Sequence, residues 1–365
     1  FENPNLSFFE PDLSSYKDLG KTLLEILAHE NIASREPIYE KYDKQVQGRV
    51  NVESGVADSG VLTPFNSTDY PKEIRKVGIA LSTDHNPRYS MISPYWGGVN
   101  AVVEAMRNVA SVGATPHAIT DCLCYGNPEK PKQMWEFVEG TRGISDACNA
   151  ITLKDNPSYP TPIIAGNVSF YNESKNGPIP PSPIVSCLGR LKDIDYVLSM
   201  DFQSSGSDIL MVGERKDELG GSIYYQLLGE LGANVPKPDF VEVRSQIFAV
   251  TDCAEGGLIL SCHDISDGGI ATSIAEMTFR KNIGCLVKIP GDLQDHKILF
   301  SETGGFVIET KKENTENVIK VFKAHGLHAS KIGETGGEYI QLNETIKIKV
   351  LEARHRWENG LREKL

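Results

Sequence analysis

The chain has 365 residues and a formal net charge of −12 at pH 7. This length exceeds what one hydrophobic core usually supports, so we expect two domains. The acidic balance argues against a surface for nucleic acid or anionic lipid. No apolar stretch approaches the length of a membrane span, and the start lacks the basic and apolar regions of a signal peptide. We therefore expect a cytoplasmic protein that binds neither nucleic acid nor membrane.

The seven cysteines are scattered among apolar or small residues, as is typical of reduced core residues. Cys122 and Cys124 form the one close pair. In a strand both sulfurs would point to the same face, because residues two apart share a side. Two further ligands are missing from this pattern, so it does not predict a structural zinc site.

Residues 1–35 are predicted to form an extended arm followed by a helix, with apolar residues recurring at helical spacing within Tyr16–His29. Residues 36–191 then show alternating strands and helices and are predicted to form the first domain. Its predicted strands are Val77–Leu81, His117–Asp121, Ile163–Gly166 and one within 180–191, and its predicted helices are Val99–Val112 and Lys132–Cys148. Helices between strands indicate an α/β or α+β class.

Residues 192–365 are predicted to form a second α/β domain. Its predicted strands are Asp208–Val212, Leu258–Ser261, a bulged strand over Leu299–Ile308, and paired strands within Tyr339–Ile348. Its predicted helices are Phe240–Glu255, Ile270–Phe279, Asn314–His325 and Val350–Glu363. Each follows from the period of its apolar residues.

Polar residues follow three predicted strands of the first domain, at Asp84, at Asp121 and at Gly166-Asn167. Ligands in α/β folds sit beyond strand ends, so the repetition favours one shared site. We interpret Ile163 and Ile164 as a buried strand that delivers Asn167 and Ser169 on one face. An amide oxygen can ligate a hard cation, and a hydroxyl can bond a phosphate or a sugar. Each segment alone could equally be a turn.

The second domain also has a polar segment after a predicted strand, where Cys262–Gly269 leads into a predicted helix. Backbone N–H groups at such a start can receive an anion, with His263, Asp264 and Asp267 nearby. The alternative is a helix start capped by Ser266 or Asp267. The sequence favours neither interpretation over the other.

Seven segments in this order resemble the second half of the phosphoribosylformylglycinamidine synthase family: IYEKYDKQVQG, ALSTDHNPRY, SPYWGG, AITDCLCYGNPEKP, AGNVSFYNES, CHDISDGG and LFSETGGF. The resemblance implies an aminoimidazole ribonucleotide synthetase-like half with two domains, the first of ATPase type with a sheet and helices, the second α/β. It implies a purine-biosynthesis ligase that uses ATP, Mg²⁺ and ammonia from glutamine to convert formylglycinamide ribonucleotide to its amidine.

Four site residues follow from the resemblance, residue by residue. Asp121 and Gly166 match positions that contact ATP, Asn167 matches a magnesium ligand, and Ser169 matches a substrate contact. Further candidates for contacts with the nucleotide or its phosphates are Asp58, Asp84, His263 and Asp267.

Two departures from the family pattern matter. The family's catalytic histidine lies in a His-Asn-His-Pro segment that this chain lacks, and second halves do not use the position of His85 as a base. We therefore assign no catalytic residue. Cys124 stands where an asparagine is common in the resembled family.

The resemblance also implies partners: a first-half synthetase repeat, a glutaminase subunit and a small accessory subunit. Because the predicted helices of the first domain can cover one face of its sheet, the other face is expected to bind the first-half repeat or a second copy of this chain. Two alternatives stay open, a catalytically silent half that only binds nucleotide and a related aminoimidazole ribonucleotide synthetase-like enzyme.

Overall fold

The computed structural model describes Leu6, residues 10–13 and residues 17–365. The predicted extended arm therefore lies mostly outside the described residues. The helices are α1 Leu19–Leu27, α2 Glu36–Tyr39, α3 Pro87–Ile92, α4 Pro94–Ser111, α5 Pro131–Ala150, α6 Ile223–Leu227, α7 Phe240–Glu255, α8 Gly269–Phe279, α9 Asp295–Phe300, α10 Thr315–Ala324 and α11 Val350–Asn359. The strands of the first domain are β1 Val50–Val52, β2 Gly60–Leu62, β3 Gly78–Asp84, β4 Thr115–Cys124, β5 Thr152–Leu153, β6 Asn156–Pro160, β7 Ile163–Ser169, β8 Glu173–Ser174, β9 Gly177–Pro178 and β10 Ser182–Leu191. Those of the second are β11 Asp208–Val212, β12 Ser261–Ile265, β13 Cys285–Val287, β14 Gly305–Thr310, β15 Ala329–Thr335, β16 Tyr339–Leu342 and β17 Ile346–Lys349.

The first sheet has the strand order β1-β2-β3-β10-β4-β7. Strand β10 is antiparallel to both β3 and β4, and β7 is parallel to β4. Strands β3, β4 and β7 therefore run in the same direction and end at the same edge of the sheet. This arrangement places the polar residues that follow the predicted strands at a common edge.

Helix α4 lies at the centre of the molecule. It packs on the first sheet through β3 and β10, on α5, and on α7 and β12 of the second domain. The crossing with α5 is close, since a Cβ added at Gly98 would lie 2.2 Å from the carbonyl oxygen of Gly140. Most residues of α4 are buried, including the charged Glu104 and Arg107. The helix therefore carries charged groups into the boundary between the domains.

The second sheet has the strand order β12-β14-β11-β15-β13-β16-β17 and is antiparallel except where β13 meets β16. The inner strand β11 is buried along its whole length. Leu210 and Val212 belong to the core shared with α7, whereas Ile209 and Met211 belong to the core shared with α8. Alternate residues of a strand face opposite sides, so both faces of this sheet are covered.

Helix α1 joins the second domain although it precedes the first in sequence. Asp18 caps its start by accepting the backbone N–H of Lys21 at 3.0 Å. Its buried Leu23, Ile26 and Leu27 lie in the same core as the apolar residues of α8. The helix predicted within residues 1–35 thus packs with the second domain.

Three predictions about single segments are wrong. Ile163 and Ile164 are 44% and 60% exposed, because β7 is an edge strand that pairs only with β4. The predicted strand over Leu299–Ile308 is instead the end of α9, an irregular segment and β14. The strand predicted at Leu258 begins later, at Ser261, because the N–H of Leu258 is bonded to Cys253 at the end of α7.

Candidate functional site

Asp84, Asp121 and Gly166 lie in one row across the first sheet. Val185 of β10 is the register partner of both Asp84 and Asp121, and Asp121 is the partner of Gly166. Neighbouring strands are about 4.8 Å apart, which sets the spacing along this row. The two carboxylates share the helix-covered side of the sheet with Val185, which is fully buried.

The Asp121 carboxyl group lies directly over Gly166. A Cβ added at Gly166 would be 2.4 Å from Asp121 Oδ1, so a side chain here would displace the carboxyl group. Burial raises the pKa of Asp121 above its ordinary value. Glycine at this position therefore keeps space for the Asp121 side chain as well as for any ligand at the strand.

Asn167 and Ser169 lie on the opposite side of the sheet from Asp121. Their register partners are Cys122 and Cys124, whose side chains alternate with Asp121 along β4. Both residues fall within β7 rather than beyond its end, and the Asn172 amide donates to Ser169 Oγ at 3.1 Å. The prediction of one shared site at these strand ends is corrected: the residues occupy two faces.

A second group of candidates meets between the domains. His263 of β12 lies with Nδ1 2.8 Å from Asp58 Oδ1 and Nε2 3.0 Å from Glu276 Oε2. The other Asp58 oxygen accepts the backbone N–H of Asp264 at 3.0 Å. Two carboxylates hold the imidazole, and they raise the pKa of His263 well above its ordinary value against the opposing effect of burial.

Arg107 of α4 is the second cation of this group. Its Nε lies 3.9 Å from Asp264 Oδ2, and its Nη2 lies 3.8 Å from Glu104 Oε2. Asn108 lies between two of the carboxylates. Its Nδ2 is 3.3 Å from Asp84 Oδ2, and with the amide flipped the nitrogen donates to both Asp264 oxygens at 3.2 and 3.3 Å.

We call this group the carboxylate cluster, and its acidic members are Asp58, Asp84, Glu104, Asp264 and Asp267. Burial and mutual repulsion raise the pKa of Asp84 to about 8, that of Asp264 to about 7 and that of Asp267 to about 6. The negative charge of the cluster is therefore only partly balanced by Arg107 and His263. Ligand atoms of Asp58, His263 and Asp264 lie within 4.8 Å of one another, a spacing that one metal ion could bridge.

The start of α8 is occupied by a carboxylate of the chain itself. Glu302 Oε1 accepts the backbone N–H of Gly268 at 2.7 Å and that of Ile223 at 2.8 Å, and Tyr89 donates to its other oxygen. The N-cap residue of α8 is Gly268, in the left-handed conformation, and it has no side chain that could cap the helix. Capping by Ser266 or Asp267 is therefore wrong, and Asp267 instead accepts from Asn86.

His85 lies beside the cluster in sequence but is isolated in its bonding. Both ring nitrogens are buried, and neither has a hydrogen-bond partner among the described residues. Burial lowers the pKa of His85 to about 4, so the ring is neutral at physiological pH.

The sequence interpretation missed Glu104, Arg107, Glu276 and Glu302. A signal was available for the first two: they interrupt the apolar stripe of α4 at a spacing of three, which puts a charged pair on a buried helix face. Glu276 and Glu302 carried no such signal, since their partners come from distant segments.

Across the described residues, no helix is long and apolar enough to span a membrane.

Comparisons with known proteins agree with this architecture. Residues 58–191 match the AIR synthase related protein, N-terminal domain, and residues 204–342 match the AIR synthase related protein, C-terminal domain. The chain is 44% identical over 361 residues, 97% of its length, to phosphoribosylformylglycinamidine synthase subunit PurL of Methanothrix thermoacetophila, of which it covers 46%. It is 34% identical to the PurL subunit of Anaeromyxobacter dehalogenans, covering 98% of this chain and 47% of that protein.

Solved structures share the fold. T. maritima PurL complexed with FGAR superposes with a TM-score of 0.70 at 18% identity, covering 92% of this chain and 53% of that one. T. maritima PurL complexed with ATP gives a TM-score of 0.64 at 19% identity, covering 91% and 52%. The chain spans about half the length of the curated relatives it matches. The resemblance drawn from the seven segments is confirmed, and with both domains matched the chain belongs to the AIR synthase related protein family.

Proposed function

We propose that this chain is one half of a phosphoribosylformylglycinamidine synthase acting in the cytoplasm. The reaction converts formylglycinamide ribonucleotide to the amidine: ATP phosphorylates the amide oxygen, and ammonia derived from glutamine displaces the phosphate. The observation that carries this proposal is the 44% identity to a PurL subunit along 97% of the chain. The chain covers 46% of that relative, so the activity we propose also requires a first-half repeat, on the same or a separate polypeptide.

The carboxylate cluster has the donor set that Mg²⁺ prefers. Asp58, Asp84 and Asp264 offer hard oxygen ligands in a region whose negative charge exceeds its positive charge, as the raised pKa values of Asp84 and Asp264 indicate. When bound, Mg²⁺ would balance charge on the phosphates of ATP. Arg107 and His263 would hold these carboxylates in place, since each already contacts Asp264 or Asp58.

The first sheet would supply the remaining contacts. Asp121 and Gly166 are proposed to contact ATP at β4 and β7, Asn167 to offer its amide oxygen to a second Mg²⁺, and Ser169 to contact the substrate. Asn167 and Ser169 lie on the side of the first sheet opposite the helix-covered side, which we call the open side. Ligands held there would be enclosed only by a partner, which agrees with the half-length of the chain.

The open side of the first sheet is proposed to bind a first-half repeat. Leu62 and Leu81 on this side are 46% and 54% exposed, while the helix-covered side carries buried residues such as Ala80 and Val185. The occupant we infer is the missing half, because the chain spans 46% of a curated relative. Burying this surface would require an interface of roughly 2,000 Å² or more. Sedimentation that shows a stable homodimer unaffected by a first-half polypeptide would contradict this choice.

Ammonia is proposed to come from a glutaminase subunit, with a small accessory subunit completing the assembly. A solved structure described as PurLQS from Thermotoga maritima shares this fold with a TM-score of 0.69. Free ammonium should replace these subunits in vitro, because they would supply only the nucleophile.

The proposal is tested by mixing the chain with a first-half polypeptide, ATP, Mg²⁺, ammonium and formylglycinamide ribonucleotide. Amidine should form only in the mixture, at an enzymatic rate of about 1 per second or more. Asp264→Asn should lower the rate, whereas Asp69→Asn, at an exposed position, should not. Full turnover by the chain alone would disprove the division into halves.

A silent nucleotide-binding half is the second candidate. It is favoured by the position of Asn167 and Ser169 on the opposite side of the sheet from Asp84 and Asp121. If Asp264→Asn abolishes nucleotide binding by this chain while the mixture keeps its full rate, this second function is correct.

A further inference from the structure

Cys122 and Cys124 differ from the other cysteines in their surroundings. The other five are buried, whereas these two are partly exposed on the open side of the first sheet. Their Sγ atoms lie 3.8 Å apart, with no disulfide between them. Two accessible thiols therefore face the same direction at a short, fixed separation.

The separation matches the edge of a metal coordination tetrahedron. Thiolates about 2.3 Å from a zinc-like ion and at the tetrahedral angle lie about 3.8 Å apart. The thiols hold this separation because a strand places residues two apart on one face. Binding would need only small side-chain rotations.

Oxygen donors stand on the adjacent strand. Asn167 is the register partner of Cys122, and Ser169 is the partner of Cys124, each on a strand about 4.8 Å away. A structural zinc site would need four protein ligands. Two thiols with neighbouring oxygens instead suit an exchangeable site for a soft cation.

We propose that Cys122 and Cys124 form a chelating site for a thiophilic divalent cation such as Cd²⁺ or Zn²⁺. Each thiol loses its proton to solvent as its sulfur bonds the metal, so no electrons are transferred. The remaining coordination positions are filled by water or by the oxygens of Asn167 and Ser169. A soft cation bound here lies next to Asn167 and Ser169, the proposed contacts for Mg²⁺ and substrate.

Cd²⁺ alone is the probe, titrated into the full chain and followed by thiolate-to-cadmium charge-transfer absorbance. One ion per chain should bind. Cys122→Ser and Cys124→Ser should each weaken this binding by about 10- to 100-fold or more, because each leaves a single sulfur and the loss of a ligand should cost at least as much as the loss of an outer-shell partner. Cys148→Ala, which removes a buried thiol, should bind as the parent does. The absorbance separates this site from the carboxylate cluster, which contains no sulfur.

Unchanged absorbance in Cys124→Ser, or none in the parent chain, would overturn the site. Circular dichroism confirms that each variant is folded before it is scored. A second measurement, iodoacetamide labelling with peptide mass analysis, should show Cd²⁺ protecting Cys122 and Cys124 together. Any inhibition of a reconstituted synthase by Cd²⁺ would rest on the proposed function as well, whereas the Cd²⁺-binding result is independent of the proposed function.

Discussion

The two sheets of this chain differ in how completely the chain covers them. Strand β11 of the second sheet is buried on both faces, between the core of α7 and the core of α8. The first sheet is covered by α4 on one side, and its edge strand β7 is exposed along most of its length. The second sheet is thus covered on both faces within the chain, whereas the described residues leave one face of the first sheet open, and we propose that a first-half repeat covers it.

The carboxylate cluster lies where the two domains meet and depends on both. Arg107 comes from the first domain and its partner Asp264 from the second, so the charge balance exists only while the domains are in contact. On the open side of the first sheet, the apolar Leu62 and Leu81 are 46% and 54% exposed. Charged contacts such as Arg107–Asp264 therefore lie at the boundary between the two domains, whereas apolar side chains such as Leu81 are exposed on the open side.

The largest expected effect is a loss of stability at the boundary between the two domains. Arg107→Met should lower the free energy of unfolding by about 3–5 kcal/mol, because it leaves Glu104 and Asp264 buried beside each other without their cation. Urea unfolding measures the loss. The exposed Arg142→Met, which removes a cation of the outer helix α5, should cost less than about 1 kcal/mol. Equal losses would show that the cluster is balanced without Arg107.

The second-largest effect should be on the binding of a first-half polypeptide to the open side of the first sheet. Leu81→Asp places a charge on the exposed open side of the first sheet and should weaken binding of a first-half polypeptide by about 100-fold or more. Stability of the isolated chain should hardly change, because Leu81 is already exposed. Leu351→Asp is a matched control: Leu351 is 65% exposed but lies on α11 of the second domain. Equal weakening by both changes would rule out the open side as the interface.

How far the sequence predicted these regions depended on whether the interacting residues are close in the chain. Helix α7 was predicted with its observed bounds, since its apolar period is local information. Ile163 and Ile164 were predicted to be buried from their apolar character, which does not reveal whether another segment packs on the strand; both are exposed on the edge strand β7. Glu302 was placed in a strand because its partners, Tyr89 and Gly268, are 213 and 34 residues away.

A smaller effect is expected at Asn167 on the open side. Asn167→Leu keeps the side-chain size but removes the amide oxygen, so the reconstituted synthase should need about tenfold more Mg²⁺ for half-maximal rate. Folding should be unchanged, because Asn167 is exposed. Asn156→Leu makes the same change on the exposed strand β6 and should leave the Mg²⁺ requirement as it was. A normal requirement in Asn167→Leu would make Asn167 a surface residue only.

The last prediction concerns the pH dependence of the core around α8. Burial and the nearby Asp267 raise the pKa of Glu302 to about 8, against the hydrogen bonds from Tyr89, Gly268 and Ile223. Between its unfolded value of about 4.5 and the folded value, the folded chain holds a proton that the unfolded chain releases. The free energy of unfolding should therefore fall as pH rises through this range.

Glu302→Gln removes this titrating group while keeping its shape and one acceptor oxygen. The loss of stability from pH 5 to pH 8 should become shallower, by at most about 1.4 kcal/mol per pH unit, since a single proton is involved. Urea unfolding at half-unit pH steps measures the slope, and the exposed Glu344→Gln should keep the parent slope. Parallel slopes for parent and Glu302→Gln would mean that Glu302 stays ionised in the fold, held by its three donors, and that the pH dependence comes from the carboxylate cluster alone.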